Sequence, residues 1–309
     1  MEKLKIAVLL GGESSEREVS LDSGAKVAEH IPSDKYEVLK YDPKNDLQKL
    51  INDIKEKRID VVFPILHGKY GEDGTMQGLL ELLHIPYVGC GVLASALAMD
   101  KIRTKKLVES FDIVTPGYRV LTPDMKDVDL ERFTLPCVVK PKSAGSSVGV
   151  SIPEKKDELK AAIDKAFEYD DEVLVEDFIK GDEYTVGVIG PNDKATALPV
   201  THIKANKGKF YDYKSKYAPG GSTHTCPAEI DDILRGKLQT TALEVYRIMG
   251  CEGMSRIDFM VDQKGNHYFI EVNTIPGMTD TSLLPEAAKA GGIEFPKLLN
   301  NLIQWGLRG

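Results

Sequence analysis

Between residues 4 and 98 short apolar runs alternate with longer amphipathic ones, and two of the apolar runs end in polar, glycine-rich loops. The run at 4–10 (Leu-Lys-Ile-Ala-Val-Leu-Leu) stops at Gly11-Gly12, and the run at 60–66 stops at His67-Gly68. Short apolar runs bounded by turn residues read as buried strands. Helical patterns lie near 22–30, 46–57, 75–83 and 92–98, with further strands near 36–41 and 86–88. Strands alternating with helices imply a parallel sheet covered by helices on both faces. Such sheets bind ligands outside the carboxyl ends of their strands. Both polar loops, 11–18 and 67–74, sit at such ends.

After about residue 100 the pattern changes. Strand-like runs occur at 137–141, 148–152, 173–178 and 183–190 around one helix at 154–167, which reads as a small antiparallel α+β unit. From 195 onward strands are expected at 195–201, 254–262 and 267–273, with helices at 229–249 and 294–306. The polar segment 202–225 has little apolar periodicity, and loops this long are commonly functional. At roughly 150 residues per domain, 309 residues suggest two domains or three small ones. The fold class is α/β.

Composition narrows the function. With 42% hydrophobic and 28% charged residues the chain is an ordinary globular one, not disordered, collagenous or a disulfide-stapled miniprotein. A net charge of −8 disfavours general binding to nucleic acid or an anionic membrane, although a local basic patch stays open. The four cysteines (90, 137, 226 and 251) form no C-x-x-C pair and have no histidines at zinc spacing. A reducing cytoplasm is expected. The apolar start is too short for a signal peptide, and the uncharged stretch 82–99 is broken by His84, Pro86, Gly89 and Gly91, so no membrane span is expected.

Four segments carry chemistry. In Val139-Lys140-Pro141-Lys142-Ser143-Ala144-Gly145-Ser146-Ser147-Val148-Gly149 a strand delivers a lysine into a Gly/Ser loop. Backbone N–H groups and hydroxyls there could cradle phosphate; the plainer alternative is an exposed hairpin turn. In Arg256-Ile257-Asp258 and Glu271-Val272-Asn273 alternation puts the charged pairs on one strand face each. Paired as a hairpin, Asp258, Glu271 and Asn273 would offer the hard oxygens that suit Mg²⁺, against the alternative of a solvated face with a salt bridge to Arg256. The segment 202–217 holds Lys204, Lys207, Lys209, Lys214 and Lys216 against one acid, Asp212. It could close over an anionic substrate, or be a solvated loop. In the N-terminal loops Glu16 could hold an amine, and His67 could orient Glu16 or a substrate carboxylate, or be a structural hydrogen bonder.

Gly89-Cys90-Gly91-Val92-Leu93-Ala94 fits a dinucleotide-binding G-x-G-x-x-A and would suggest a nicotinamide-dependent oxidoreductase. It lies late in the first domain rather than after its first strand, and no acidic residue follows at the expected distance.

Taken in order, the motifs resemble the D-alanine–D-alanine ligases of the ATP-grasp superfamily. They are Leu9-Leu10-Gly11-Gly12 with Ser15-Glu16-Arg17-Glu18, Leu66-His67-Gly68 with Gly71-Glu72-Asp73-Gly74, and Met99-Asp100-Lys101. Val139-Lys140-Pro141 with Gly145-Ser146-Ser147-Val148-Gly149 follows, then Tyr211-Asp212-Tyr213 with Lys216-Tyr217, Arg256-Ile257-Asp258, Glu271-Val272-Asn273 and Pro276-Gly277-Met278-Thr279. Each is weak alone; together they span essentially the whole chain.

The resemblance implies an N-terminal parallel α/β (preATP-grasp) domain followed by an ATP-grasp fold of two α+β subdomains, at 1–95, 96–185 and 186–309. It implies ligation of two D-alanines through an acylphosphate in the cytoplasm, for peptidoglycan precursors. Glu16, Ser146, Tyr217, Arg256 and Gly277 would be catalytic. His67, Lys216, Ser282 and Leu283 would hold substrate, and Lys101, Lys140, Gly145, Ser147, Glu176, Ile179 and Glu183 would hold ATP. Asp258, Glu271 and Asn273 would hold two Mg²⁺ (or Mn²⁺) ions, with a monovalent cation as an optional addition and a homodimer as the assembly. D-Ala–D-lactate ligases of this group typically carry Phe where Tyr217 stands, so Tyr217 implies an amine nucleophile. Ala144 departs from the acidic residue many relatives have there.

Overall fold

The computed structural model describes residues 3–125, 130–143, 145, 148–205 and 222–308. Its first sheet is parallel, in the order β2 (Tyr36–Tyr41), β1 (Leu4–Leu9), β3 (Val61–Pro64). α1 (Arg17–His30), α2 (Pro43–Lys55), α3 (Thr75–Leu82), α4 (Val92–Met99) and α5 (Lys101–Glu109) accompany it. A small antiparallel sheet follows, ordered β4 (Tyr118–Leu121), β6 (Val173–Asp177), β5 (Cys137–Pro141), and α6 (Lys156–Phe167) packs on it through Leu159, Ala162, Ile163 and Ala166.

A larger antiparallel sheet is built around β7 (Gly181–Gly190), β11 (Gly253–Asp262) and β12 (His267–Asn273). It also holds β8 (Thr196–Ala197), β9 (Thr201–Ala205) and β10 (Ser222–Thr225). α7 (Asp232–Ile248) packs on it through Leu238, Ala242, Val245 and Tyr246. α8 (Leu283–Ala290) and α9 (Phe295–Gly306) return to the first sheet. Leu298, Leu299, Leu302 and Ile303 of the last helix share one core with Ile6, Val8, Val61 and Phe63. The start and end of the chain therefore form one block, and the small sheet is carried between them in sequence.

Several expectations are corrected. The runs at 86–88 and 148–152 form single bridges, Val62–Tyr87 and Val139–Ser151, rather than strands. The run at 195–201 divides into β8 and the first residue of β9. The polar segment 202–225 is not loop at its ends: β9 and β10 pair antiparallel, from Ser222 opposite Ala205 to Thr225 opposite His202. Helix α1 starts at Arg17, five residues before its apolar pattern, because its buried face is made of the small residues Ser20, Ser23 and Gly24. Ser20 Oγ accepts from Gly11 N–H and donates to the Ile65 carbonyl, work that hydrophobic periodicity does not record. Helix α5 was not expected at all, since Lys101 and Lys105 stand where its buried stripe runs.

Candidate active site

Gly11 and Gly12 both take positive φ (84° and 78°), which a glycine pair permits at the β1–α1 turn. Arg17 fixes this turn. It donates to the Gly12 carbonyl at 2.6 Å and clasps Asp42 with both terminal nitrogens at 3.1 and 2.6 Å. Hydrogen bonds from Arg17, outweighing burial, hold the Asp42 carboxyl at about 2. The turn delivers Glu16, which is buried. A Cβ added to Gly68 or to Gly145 would each stand 2.8 Å from Glu16 Oε2. Two glycines from loops about 80 residues apart in the chain thus close on one carboxylate.

Glu72, within the second loop, accepts from Gly68 N–H at 2.6 Å. Burial first, and then the charge of Glu16, push its carboxyl up to about 8. Burial and the neighbouring Glu16 thus favour the protonated form of Glu72 at neutral pH. Beside it His67 is 5% exposed, and burial lowers its imidazole to about 4. It is neutral, and among the described residues its Nε2 has no hydrogen-bond partner.

The opposite wall comes from β11 and β12. Arg256 lies across from Asn273 and Asp258 across from Glu271, so all four share one sheet face. Arg256 donates to both oxygens of Asp258 (2.9 and 2.8 Å), and Thr185 Oγ1 donates to Oδ1 at 2.5 Å. The salt bridge considered from sequence exists, but buried: the side chains are 12% and 6% exposed. Glu271 Oε2 lies 3.8 Å from Lys101 Nζ, and Asn273 Oδ1 accepts from Ile275 N–H. Gly277 and Ser282 adjoin, with Ser282 Oγ accepting from Thr279 N–H at 2.9 Å just before α8 begins at Leu283.

One cleft is lined by Glu16, His67, Glu72, Lys101, Gly145, Arg256, Glu271, Asn273, Gly277, Ser282 and Leu283. Lys140 and Glu176 stand apart from that lining, on β5 and β6, and are ion-paired at 2.8 Å. Ile179 follows β6, and Glu183 lies on β7 opposite Met260 and Ile203. Ala144, Ser146, Ser147, Lys216 and Tyr217 fall outside the described residues, as do Lys207, Lys209, Asp212 and Lys214.

Sequence reasoning missed Glu72 as a titrating group and Lys105 altogether. Lys105 is fully buried, with Nζ 3.0 Å from Glu176 Oε1. Its signal was available: it follows Lys101 by four residues, so the two share a helix face. The G-x-G-x-x-A segment is packed against protein. Cys90 Sγ contacts the Glu252 carbonyl at 3.6 Å and Ser255 Oγ at 3.5 Å, and Gly89 lies against Gly253.

A parallel α/β unit joined to two antiparallel α+β units, with carboxylates, Lys101 and Gly145 facing one cleft, defines an ATP-grasp type of fold. The family model described as D-ala D-ala ligase C-terminus matches residues 107–304, and D-ala D-ala ligase N-terminus matches 39–90. The chain is 44% identical over 310 residues to a D-alanine–D-alanine ligase of Pelotomaculum thermopropionicum, covering 97% of this chain and 96% of that one. Among solved structures it resembles the D-alanine–D-alanine ligase from Bacillus anthracis complexed with ATP (TM-score 0.85, 37% identity, 99% and 98% coverage). It also resembles the VanG D-Ala:D-Ser ligase from Enterococcus faecalis (TM-score 0.85, 36% identity, 99% and 100% coverage). The chain belongs to the D-alanine–D-alanine ligase family.

Proposed function

We propose that this chain is an ATP-dependent ligase joining two D-alanines into D-alanyl-D-alanine, with release of ADP and phosphate. One observation carries the reading: Glu16, Lys101, Gly145, Arg256 and Glu271, from five separate segments, line one cleft. Glu16, enclosed by Gly68 and Gly145, binds the ammonium of the first D-alanine. His67, neutral and with a ring nitrogen to spare, orients that substrate. Its carboxylate oxygen attacks the γ-phosphorus of ATP, and the bond to ADP breaks. The second D-alanine, as free amine, attacks the acylphosphate carbonyl; the amine proton and phosphate then leave. Arg256 and Gly277 N–H stabilise the oxyanion between these steps. Lys216, Ser282 and the Leu283 backbone hold the second carboxylate.

Lys101 and Lys140 face phosphates, and Gly145 and Ser147 of the Gly/Ser segment bind them too. Glu176, Ile179 and Glu183 take the nucleoside. Ser146 and Tyr217 act with Glu16. Asp258, Glu271 and Asn273 would hold Mg²⁺ or Mn²⁺. They fit such an ion in type, being two carboxylates and an amide oxygen facing one way across a β-pair. The bound ion would offset phosphoryl charge during transfer.

The partition 1–95, 96–185 and 186–309 belongs to the same reading. We place its second boundary in the turn at 178–180, because β7 pairs with β11 along its length. A cytoplasmic site, a homodimer and a role in cell-wall precursor synthesis go with it.

A second reading has a specific support, the likeness to a D-Ala:D-Ser ligase, and changes only the second substrate. Phosphate release from ATP and Mg²⁺ with D-alanine alone, D-alanine plus D-serine, and D-alanine plus D-lactate separates the two, with products weighed by mass spectrometry. Release with D-alanine alone and a dipeptide mass is expected. Release only with a second compound would move the assignment to it, and no release from folded, ATP-binding protein would remove the substrate reading.

A further inference from the structure

Lys105 is a lysine with no place in the chemistry above, yet it is among the most buried side chains in the molecule. It sits one turn after Lys101 on α5, so one helix face presents both ammoniums. Lys101 points to the cleft and Lys105 to the small sheet, where its Nζ stands 5.3 Å from the Tyr118 ring centroid and 3.0 Å from Glu176 Oε1. Lys140 Nζ takes the other oxygen at 2.8 Å. One buried carboxylate therefore serves two buried ammoniums. The remaining charged neighbour is Glu109, on the same helix as Lys105 and bonded to Thr115 and Tyr118.

The arrangement has one ammonium too many for a closed structural pair. Lys140 is also the group assigned to phosphate in the proposed function, and when it meets one, its charge is shared and holds Glu176 less firmly. A buried carboxylate left without a partner takes up a proton instead. A protonated Glu176 would present a donor where a carboxylate presents only acceptors. The geometry leaves room for this distinction. Oε1 of Glu176 meets Lys105 Nζ at 3.0 Å and, among the described residues, no other hydrogen-bond donor. Burial alone would raise the Glu176 carboxyl; Lys140 and then Lys105 outweigh it and hold it below its ordinary value.

We propose that Lys105 is a positioning and specificity-determining residue that keeps Glu176 an ionised acceptor when Lys140 engages nucleotide phosphate. Through Glu176 it selects a purine with an amine at the 6-position over one with a carbonyl there. The inference rests on the reading of Glu176 as the partner of the base. Adenine donates from its amine to a carboxylate, whereas a 6-oxo purine sets a carbonyl oxygen against it and is rejected. Loss of Lys105 lets Glu176 protonate and donate to that carbonyl, so the rejection fades.

The test compares ATP with inosine triphosphate in wild type, Lys105→Met and Lys105→Arg, with thermal unfolding to establish that each is folded. Wild type is expected to prefer ATP in kcat/KM. In Lys105→Met the preference should fall about ten-fold or more, and KM for ATP should rise about as much. KM for D-alanine should stay within about two-fold, since only the nucleotide loses a charged partner. ATP affinity in Lys105→Met should also weaken between pH 8 and 6, where wild type stays flat, and Lys105→Arg should restore the preference. If Lys105→Met does not fold, the same ratio read in Lys105→Gln decides, because glutamine keeps a donor to Glu176 but no charge. An unchanged ATP preference in a folded, uncharged variant overturns the proposal. A wild type with no preference between the two nucleotides overturns instead the placement of Glu176 at the base.

Discussion

Two buried charge clusters, one around Glu176 and one around Glu16, are built in opposite ways. Around Glu176 two ammoniums meet one carboxylate, and every charge has a partner inside the protein. Around Glu16 two carboxyls and a neutral histidine share a pocket, and the proton that keeps Glu72 neutral is itself part of the balance. In the first cluster Glu176 lies between the two lysines, with Glu109 the next charge along the helix. The second sets the carboxyls of Glu16 and Glu72 at a cleft, where a carboxylate suits an ammonium. The first is closed between buried side chains, whereas the second opens on the space a ligand would enter.

The contrast breaks most sharply at Glu176. Glu176→Gln leaves two buried lysines facing each other, and removing one partner of a buried ionic group costs about 3–5 kcal/mol. A fall of that size in chemically measured unfolding free energy is expected, and a change below about 1 kcal/mol would mean the cluster is not compensated internally. Next is Glu16→Gln, which leaves the fold intact but removes the charge opposite the substrate ammonium. Loss of one partner of a charged hydrogen-bonded pair is worth about 2.7 kcal/mol, so kcat/KM for the first D-alanine should fall about 10²-fold. A variant within about three-fold of wild type would place the ammonium elsewhere.

The same contrast explains what was legible in the sequence. The parallel domain was readable because β1 and β3 are mainly apolar runs, broken only by Lys5, with a glycine loop a few residues beyond each. The β11–β12 face was readable because two-residue alternation fixes which side chains share a side, and the register then sets Asp258 opposite Glu271. Helix α5 was hidden because its stripe contains lysines whose partners lie over 70 residues away. Glu72 was hidden for a similar reason. Its protonation depends on Glu16, 56 positions earlier, and on burial that no local pattern encodes.

A smaller effect sharpens the comparison through pH. The Glu72 carboxyl rises from 4.5 in the unfolded chain to about 8 in the fold, so the native state binds the extra proton. Stability from this group is full below pH 4.5 and is lost as pH rises toward 8. His67 acts the other way: lowered from 6.5 to about 4, it contributes stability above pH 6.5 that is lost as pH falls through 4. Of these two groups, Glu72 is the one that changes between pH 6.5 and 8. Glu72→Gln should therefore flatten the decline over that window and be the more stable protein at pH 8. Part of Glu72 stays accessible from the cleft, and even one pH unit of the difference is worth about 1.4 kcal/mol. Equal slopes in the two proteins would show that Glu72 is ionised throughout.

The smallest effect isolates the closure itself. In Gly145→Ala the new methyl would stand 2.8 Å from Glu16 Oε2, closer than van der Waals contact allows. The crowded atom is the end of a side chain, so the fold can yield at a cost below about 1 kcal/mol. The carboxylate cannot yield without leaving the place where it meets substrate. A displacement near 1 Å in a reacting complex costs up to about 10²-fold, and a few tenths of an ångström should cost about ten-fold or less in kcat/KM. Gly68→Ala makes the same 2.8 Å contact but starts from φ +71°, so it adds backbone strain and should lose both stability and activity. The pair thus separates crowding from strain. If Gly145→Ala keeps full activity while Gly68→Ala loses it, the phosphate loop does not press on Glu16 during turnover, and the carboxylate is held by the N-terminal loops alone.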